Sequence, residues 1–293
     1  MSSKADVAII GGTGLYSVEG LQTVDTILPE TPWGLPSDEI HIAEYEESGK
    51  KLRIAFLPRH GKGHFISPTM IPQKANMAAL KMLGVSEIIA FSAVGSLKEE
   101  IAPTHFIVPD QVIDRTRHRD DTYYNEGVVV HVMFGDPFCH ELKKICVEGI
   151  KRAQIDLHTD ETLICMEGPA FSTRAESKLY KSWGAGIINM SVLPEAKLAR
   201  ELEMAYQMIC MSTDYDSWRE DSEAVNAVDI MAVVKKNSEQ AAKTVKEILP
   251  LWLARHPVES SAKSAVKFGI ITAKEKRPES ALKKLHKVLP EYF

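Results

Sequence analysis

Short apolar runs that stop on small or polar residues, separated by stretches of helical spacing, constrain this chain more than any other feature of its sequence. Val7 to Ile10 ends in Gly11-Gly12-Thr13-Gly14, Leu52 to Leu57 in Pro58-Arg59-His60-Gly61, and Ile88 to Phe91 in Ser92-Ala93-Val94-Gly95-Ser96. Further runs are Phe106 to Val108, Leu163 to Met166, Gly186 to Met190 and Met208 to Met211. Helical spacing runs through Lys74 to Leu83, Cys139 to Ala153, Arg174 to Trp183 and Glu195 to Ala205. Strands alternating with helices predict an α/β fold, with a central, mostly parallel or mixed sheet flanked by helices. Ligands in such folds gather at the carboxyl ends of strands.

Val225 to Leu253 reads as one helix, Pro257 to Ser261 as a break, and Ser264 to Ile271 and Glu279 to Val288 as two short helices. No repeat, linker or composition shift divides the chain, so residues 1–293 read as a single domain, and 44 % apolar content supports a large core. A net charge of −5 argues against nucleic-acid binding and leaves any anion to a local pocket. Cys139, Cys146, Cys165 and Cys210 lack metal-ligand spacing and read as buried, reduced thiols, so no metal is expected and a cytoplasmic location is. No apolar run approaches the ~18 residues that span a bilayer. Met1 to Ala5 lacks the apolar stretch of a signal peptide, so no membrane partner is expected.

Several of these segments carry chemistry. The glycine turn around Thr13 can present backbone N–H groups to a phosphate, or be an ordinary turn. It is not a dinucleotide fingerprint, because Ser17 stands where the third glycine of G-x-G-x-x-G belongs. Arg59 and His60 place a permanent cation and an imidazole beyond a strand, suited to a dianion or simply solvated. Ser92-Ala93-Val94-Gly95-Ser96 and Asn189-Met190-Ser191 add donors, giving four apparent strand ends compatible with phosphate. Thr213-Asp214-Tyr215-Asp216 brings acids to another strand end, where they serve acid–base work or cap the next helix.

Ile9-Ile10-Gly11-Gly12-Thr13-Gly14, Pro58-Arg59-His60-Gly61, Gly95-Ser96-Leu97, Asp110 to Thr116, Met166-Glu167-Gly168-Pro169, Phe171 to Glu176, Asn189-Met190, Pro194-Glu195 and Thr213-Asp214-Tyr215-Asp216, in this order, resemble the trimeric nucleoside phosphorylase family over nearly the whole chain. The resemblance implies that Thr13, Arg59, His60, Ser92, the Ala93 backbone and Ser191 hold inorganic phosphate as co-substrate, without a cofactor. It places Met190 beside the ribose, and the purine between Ala93, Phe171 and Ser172 on one side and Asp214 and Asp216 on the other. It implies that Asp214 protonates N7, that His131 reaches the neighbouring site of a homotrimer, and that Ile230 and Met231 lie beside the sugar's 5′ group. The C-terminal element from about residue 262 would cover that pocket.

A carboxylate accepts from an exocyclic amine, which favours adenine over a 6-oxopurine. Ala227, Ile230 and Met231 at i, i+3, i+4 spacing make an apolar stripe, either core or a wall for a methylthio group. With these residues, the reaction that the resemblance implies is phosphorolysis of 5′-methylthioadenosine. Phosphorolysis of adenosine or 6-oxopurine nucleosides, and non-catalytic nucleotide binding, are the alternatives. The chain departs from the family pattern at Pro72-Gln73-Lys74, at Thr104-His105 and at Ala170.

Overall fold

The computed structural model describes residues 4–11, 18, 21–219 and 227–293, apart from the side chains of 227–232. Its strands are β1 (Val7–Gly11), β2 (Gln22–Ile27), β3 (Ile40–Glu47), β4 (Lys50–Pro58), β5 (Glu87–Ser96), β6 (Phe106–Val108), β7 (Gln111–Arg115), β8 (Leu157–Thr159), β9 (Thr162–Met166), β10 (Ile187–Asn189) and β11 (Ala205–Tyr215). The α-helices are α1 (Gln73–Met82), α2 (His140–Arg152), α3 (Arg174–Ser182), α4 (Val192–Glu201), α5 (Ala227–Arg255) and α6 (Glu279–Leu285). One mixed sheet joins the strands in the order β2-β3-β4-β1-β5-β10-β9-β7, and β11 also runs along β5 and carries β6 and β8 beyond it.

Side-chain alternation sorts the core onto the two faces of this sheet. Ala8, Ile10, Ile88 and Ala90 pack with Met77 and Leu80 of α1 and Leu198 of α4. Val7, Ile9, Ile89 and Phe91 pack with Leu142 and Ile145 of α2 and Ile248 and Trp252 of α5. Helices on both faces leave the central strands no solvent side, which is why they read as continuous apolar runs. All four cysteines are free and buried. No described helix is long and apolar enough to cross a membrane.

The central strand β5 changes neighbours along its length. β1 pairs with it in parallel from Glu87 to Ala90, and β10 joins it antiparallel at Gly95 and Ser96. Between these, Phe91 to Val94 have a ladder partner on the β11 side only. The sheet is therefore open on one side in its middle, and Ala93 is exposed in a strand whose other residues are mostly buried.

Several expectations need correction. β5 does not stop at Phe91 but continues through Ser96, because β11 pairs with it throughout. β11 likewise runs past Met211 to Tyr215, so Asp214 lies within a strand, not beyond one. The helix expected at Glu195–Ala205 spans Val192–Glu201 instead; Glu203, at φ +58°, reverses the chain and Ala205 opens β11. Ser264–Ile271 is not a helix. Its backbone bonds close i to i+3 turns, Ser264 sits at φ +65°, and Ile270 forms an isolated bridge with Val130. The last helix ends at Leu285, three residues before Val288. The polar or amphipathic strands β2, β3, β7 and β8 add to those expected, since they lack the apolar runs that mark the centre.

Glu87, at the head of β5 and fully buried, fastens the end of α5 to the sheet. Its carboxylate accepts from Trp252 Nε1 (2.6 Å), His256 Nδ1 (2.9 Å) and the Val258 backbone N–H (2.8 Å). The bond to Glu87 raises the His256 pKa above its ordinary 6.5, against the effect of burial. Glu87→Ala should cost about 3–5 kcal/mol, as expected for one half of a buried pair. A histidine whose folded pKa is raised lends stability below its unfolded pKa and loses it as pH rises through the folded value. Urea unfolding should accordingly give a larger native-to-variant difference at pH 6 than at pH 8.5, and an equal difference at both would contradict the assignment.

Candidate active site

Arg59 follows β4, and its backbone N–H donates to Gly11 O at 3.1 Å, tying it to the end of β1. Its side chain fills the opening beside β5: Nη1 donates to the unpaired Phe91 carbonyl at 2.9 Å, while Nε and Nη2 grip Glu195 at 2.6 and 2.9 Å. Both partners are buried, at 3 % and 0 % side-chain exposure. Glu195 also accepts from Tyr206 Oη at 2.6 Å. Burial opposes the guanidinium charge, but the Glu195 carboxylate more than offsets it and holds the Arg59 pKa above its usual range. Arg59 is thus neither solvated nor a lone cation. Three of its five N–H bonds are committed inside the protein.

His60 differs from the expected donor as well. Burial, and then the Arg59 charge, push its pKa down to about 4, so the ring is neutral at pH 7. Its Nδ1 lies 2.8 Å from the Ile66 carbonyl, which can only accept, so the proton sits on Nδ1 and Nε2 is left as an acceptor. His64 stacks on the ring at 4.2 Å between centroids.

Across the opening, Ser92 Oγ and Ser191 Oγ stand 3.0 Å apart, with Asn189 Nδ2 donating to Ser92 at 3.2 Å. Both serines are buried. β10 ends at Asn189, so Met190 and Ser191 lie beyond a strand end as expected. Gly168, at φ +71°, approaches Met190 so closely that a Cβ there would lie 2.3 Å from its Sδ. Any side chain at 168 would dislodge Met190.

Asp214 and Asp216 face Gly95 from β11 and the residue after it. A Cβ at 95 would sit 3.4 Å from Asp214 Oδ2 and 3.3 Å from Asp216 Cβ, so glycine keeps this surface of β5 open to both acids. A register shift between Ser212 and Asp214 turns the strand here, and Thr213 Oγ1 donates to Asp214 Oδ1 at 2.6 Å. Burial raises the Asp214 pKa to about 6, against the Thr213 bond and with help from the Asp216 charge. Burial also raises the pKa of Asp216, opposed by the hydroxyls of Ser177 and Ser172. Its Oδ2 is buried without a partner among the described residues. Asp216 is therefore packed into the site and does not cap a helix, since Ser217 to Arg219 after it are not helical. Ser172 is buried and Phe171 half exposed in the segment before α3.

The structure brings Arg59, Ser92 and Ser191 to the open stretch of β5, with His60, Ala93 and Met190 adjoining them in the chain, and sets Asp214 and Asp216 beside Gly95, with Ser172 against Asp216 and Phe171 next to it in the chain. His131 does not join them. It is exposed on an extended segment whose backbone bonds to Gly269 O at 2.9 Å. Thr13, and the side chains of Ile230 and Met231, lie outside the described residues. Two further contributors stand in motifs whose residue types alone assign them no role. One is Glu195. The other is Glu167, held by Thr69 Oγ1, Arg119 Nε and the backbone of Arg117 and His118. These bonds outweigh burial and hold the Glu167 pKa at about 2, locking its loop next to Met190. A buried arginine demands a carboxylate, but the sequence does not say which.

Comparison with known proteins fits this geometry. The family model described as the Phosphorylase superfamily matches residues 6–250. The S-methyl-5′-thioadenosine phosphorylase of Emericella nidulans is 50 % identical over 98 % of this chain and 83 % of its own length. That of Yarrowia lipolytica is 47 % identical over 100 % of this chain and 94 % of its own length. Among solved structures, a methylthioadenosine phosphorylase from an antarctic soil metagenomic library superposes with a TM-score of 0.92 at 40 % identity, covering 98 % and 100 % of the two chains. A mutant of the adenosine/methylthioadenosine phosphorylase of Schistosoma mansoni, in complex with methylthioadenosine, gives 0.78 at 32 % identity, covering 86 % and 92 %.

A carboxyl whose folded pKa is raised from 3.8 to about 6 loses stability as pH climbs through that interval, because the folded state resists its ionisation. Asp214→Asn should therefore unfold at higher urea than the native protein at pH 7, by roughly 1–3 kcal/mol. That gain should vanish below about pH 4, where both states are protonated. A variant less stable than the native protein at pH 7 would show that the Asp214 charge is compensated in the fold.

Proposed function

This chain belongs to the phosphorylase superfamily, and from that membership we propose that it cleaves 5′-methylthioadenosine with inorganic phosphate, releasing adenine and 5-methylthioribose 1-phosphate. The observation that carries this reading is the acid pair beside Gly95: a carboxyl with its pKa near 6 next to a carboxylate oxygen that has no donor among the described residues. The first suits protonation of a purine N7, the second acceptance of a hydrogen bond from the 6-amino group.

Phosphate is a weak nucleophile, and positive charge builds on the ribose as the bond to the base breaks, so placement and electrostatics carry the reaction. In the proposed complex the uncommitted N–H bonds of Arg59, the hydroxyls of Ser92 and Ser191, the Ala93 backbone and Thr13 hold the anion. His60 Nε2, an acceptor, takes the hydrogen of the phosphate's remaining O–H. Since Glu195 already balances Arg59, phosphate is held as much by directed hydrogen bonds as by net charge. Met190 lies under the ribose, and Phe171 and Ser172 flank the base. Proton transfer from Asp214 neutralises the leaving purine, so no cofactor or metal is needed.

His131, exposed on its own chain, would serve an adjacent protomer of a homotrimer. The exposed apolar residues around it, Val129, Met133, Phe268 and Ile271, support such a contact. Ile230 and Met231 would face the 5′ substituent, and the turn segment 264–271, whose backbone is bonded to the His131 segment, would cover that pocket in the adjacent protomer. Buried reduced thiols fit a cytoplasmic enzyme that returns adenine and the thiosugar to salvage. Adenosine is the second reading, favoured by the Schistosoma mansoni neighbour, whose name includes both nucleosides.

Release of adenine from 5′-methylthioadenosine should require inorganic phosphate, with one sugar 1-phosphate formed per base. Equal release in phosphate-free buffer, followed by absorbance and phosphorus NMR, would indicate hydrolysis instead. Asp214→Asn should lower kcat/KM for this substrate by about 10². Light scattering should give a particle three times the 32.6 kDa chain mass, and a fully active monomer would remove His131 from the mechanism.

A further inference from the structure

A cavity of about 260 Å³ opens at the start of α1, and no residue assigned above to phosphate or nucleoside lines it. It coincides with Pro72-Gln73-Lys74, the sequence departure for which the proposed reaction has no use. Gln73 lines the cavity at 5 % exposure, and neither its Nε2 nor its Oε1 has a partner among the described residues. Trp33 Nε1, in the same wall, is also buried without an acceptor. Burying such groups unpaired is costly, so they mark a place that something else completes. Lys74 adds an ammonium at 10 % side-chain exposure, 2.8 Å from the carboxylate of Asp120, which is itself 57 % exposed. The cation is inside and its counter-ion looks to solvent. Pro68, Ile71, Pro72, Ala75 and Pro194 add apolar lining.

The unpaired groups demand both halves of a hydrogen-bonding ligand. Gln73 Nε2, Trp33 Nε1 and Lys74 Nζ are donors that suit a carboxylate, whereas Gln73 Oε1 and Asp120 are acceptors that suit an ammonium. An inorganic anion would satisfy the first group and leave Gln73 Oε1 orphaned. At about 30 Å³ per water-sized group, the volume holds roughly nine non-hydrogen atoms. We infer that this cavity binds an α-amino acid zwitterion with a short aliphatic side chain, its carboxylate on Gln73, Trp33 and Lys74 and its ammonium on Gln73 and Asp120.

The test is saturation-transfer NMR and calorimetry on the full chain with L-leucine as probe. L-Leucinamide, 4-methylpentanoate and inorganic phosphate serve as comparators. L-Leucine should saturate with a Kd on the order of 1 mM, and leucinamide and 4-methylpentanoate, each missing one charge, should bind about tenfold more weakly. Gln73→Leu, which removes both amide poles and fills the space, should abolish saturable binding. Trp33→Phe keeps a ring against Tyr123 and removes one donor, so it should weaken binding by a few fold. The inference is overturned if L-leucine does not saturate, if either single-charge comparator binds as well, or if both variants bind like the native protein. Phosphate binding that Gln73→Leu removes, without leucine binding, would make the cavity an anion pocket and equally overturn it. Because the readout is binding and not turnover, neither result depends on the proposed reaction.

Discussion

The arrangement of the site depends on β5 losing one neighbour for four residues. Where β1 has left and β10 has not yet joined, the sheet presents an unpaired backbone edge in the middle of the molecule. An unpaired carbonyl buried there would be costly, and Arg59 meets that of Phe91. The arginine is itself admissible only because Glu195 and Tyr206 meet its charge. Break any member and the others are left buried and uncompensated, so the same network that seals the sheet also fixes the cation of the candidate site.

On the opposite side of the opening the requirement is reversed. Asp214 stands near the end of β11 and Asp216 just beyond it, with no ion pair to either among the described residues. Their raised pKa values are the physical mark of carboxyls whose burial outweighs the hydroxyls that the fold sets against them. Such arrangements are typical of groups whose partners arrive with a ligand, since a satisfied carboxylate would have no proton to give near neutral pH. One half of the site is therefore rigid and self-paired, and the other half is left chemically incomplete.

Thr104 illustrates how a local departure is absorbed. The chain adopts φ +77° at this β-branched residue, a backbone conformation that favours glycine. Its N–H is held by the Ser212 carbonyl at 2.8 Å, and His105 returns with Nδ1 2.9 Å from His158 Nε2. The turn persists because tertiary contacts over-determine it, not because threonine favours it.

The sequence by itself determined the α/β class, the central strands and most helices, because a doubly covered sheet and amphipathic helices write their burial directly as apolar runs and periodicities. It also picked out Arg59, His60, Ser92, Ser191, Asp214 and Asp216, whose polar character at the ends of those runs is conspicuous. It misplaced the ends of β5 and β11, since Ser92 to Ser96 and Ser212 to Tyr215 look like loops until β-pairing across more than a hundred residues is known. Nor could it show that Arg59 is neutralised by Glu195, or that His60 turns an acceptor outward. Those outcomes depend on which distant group burial brings alongside, and charge state and hydrogen-bond direction are settled by that company, not by residue type.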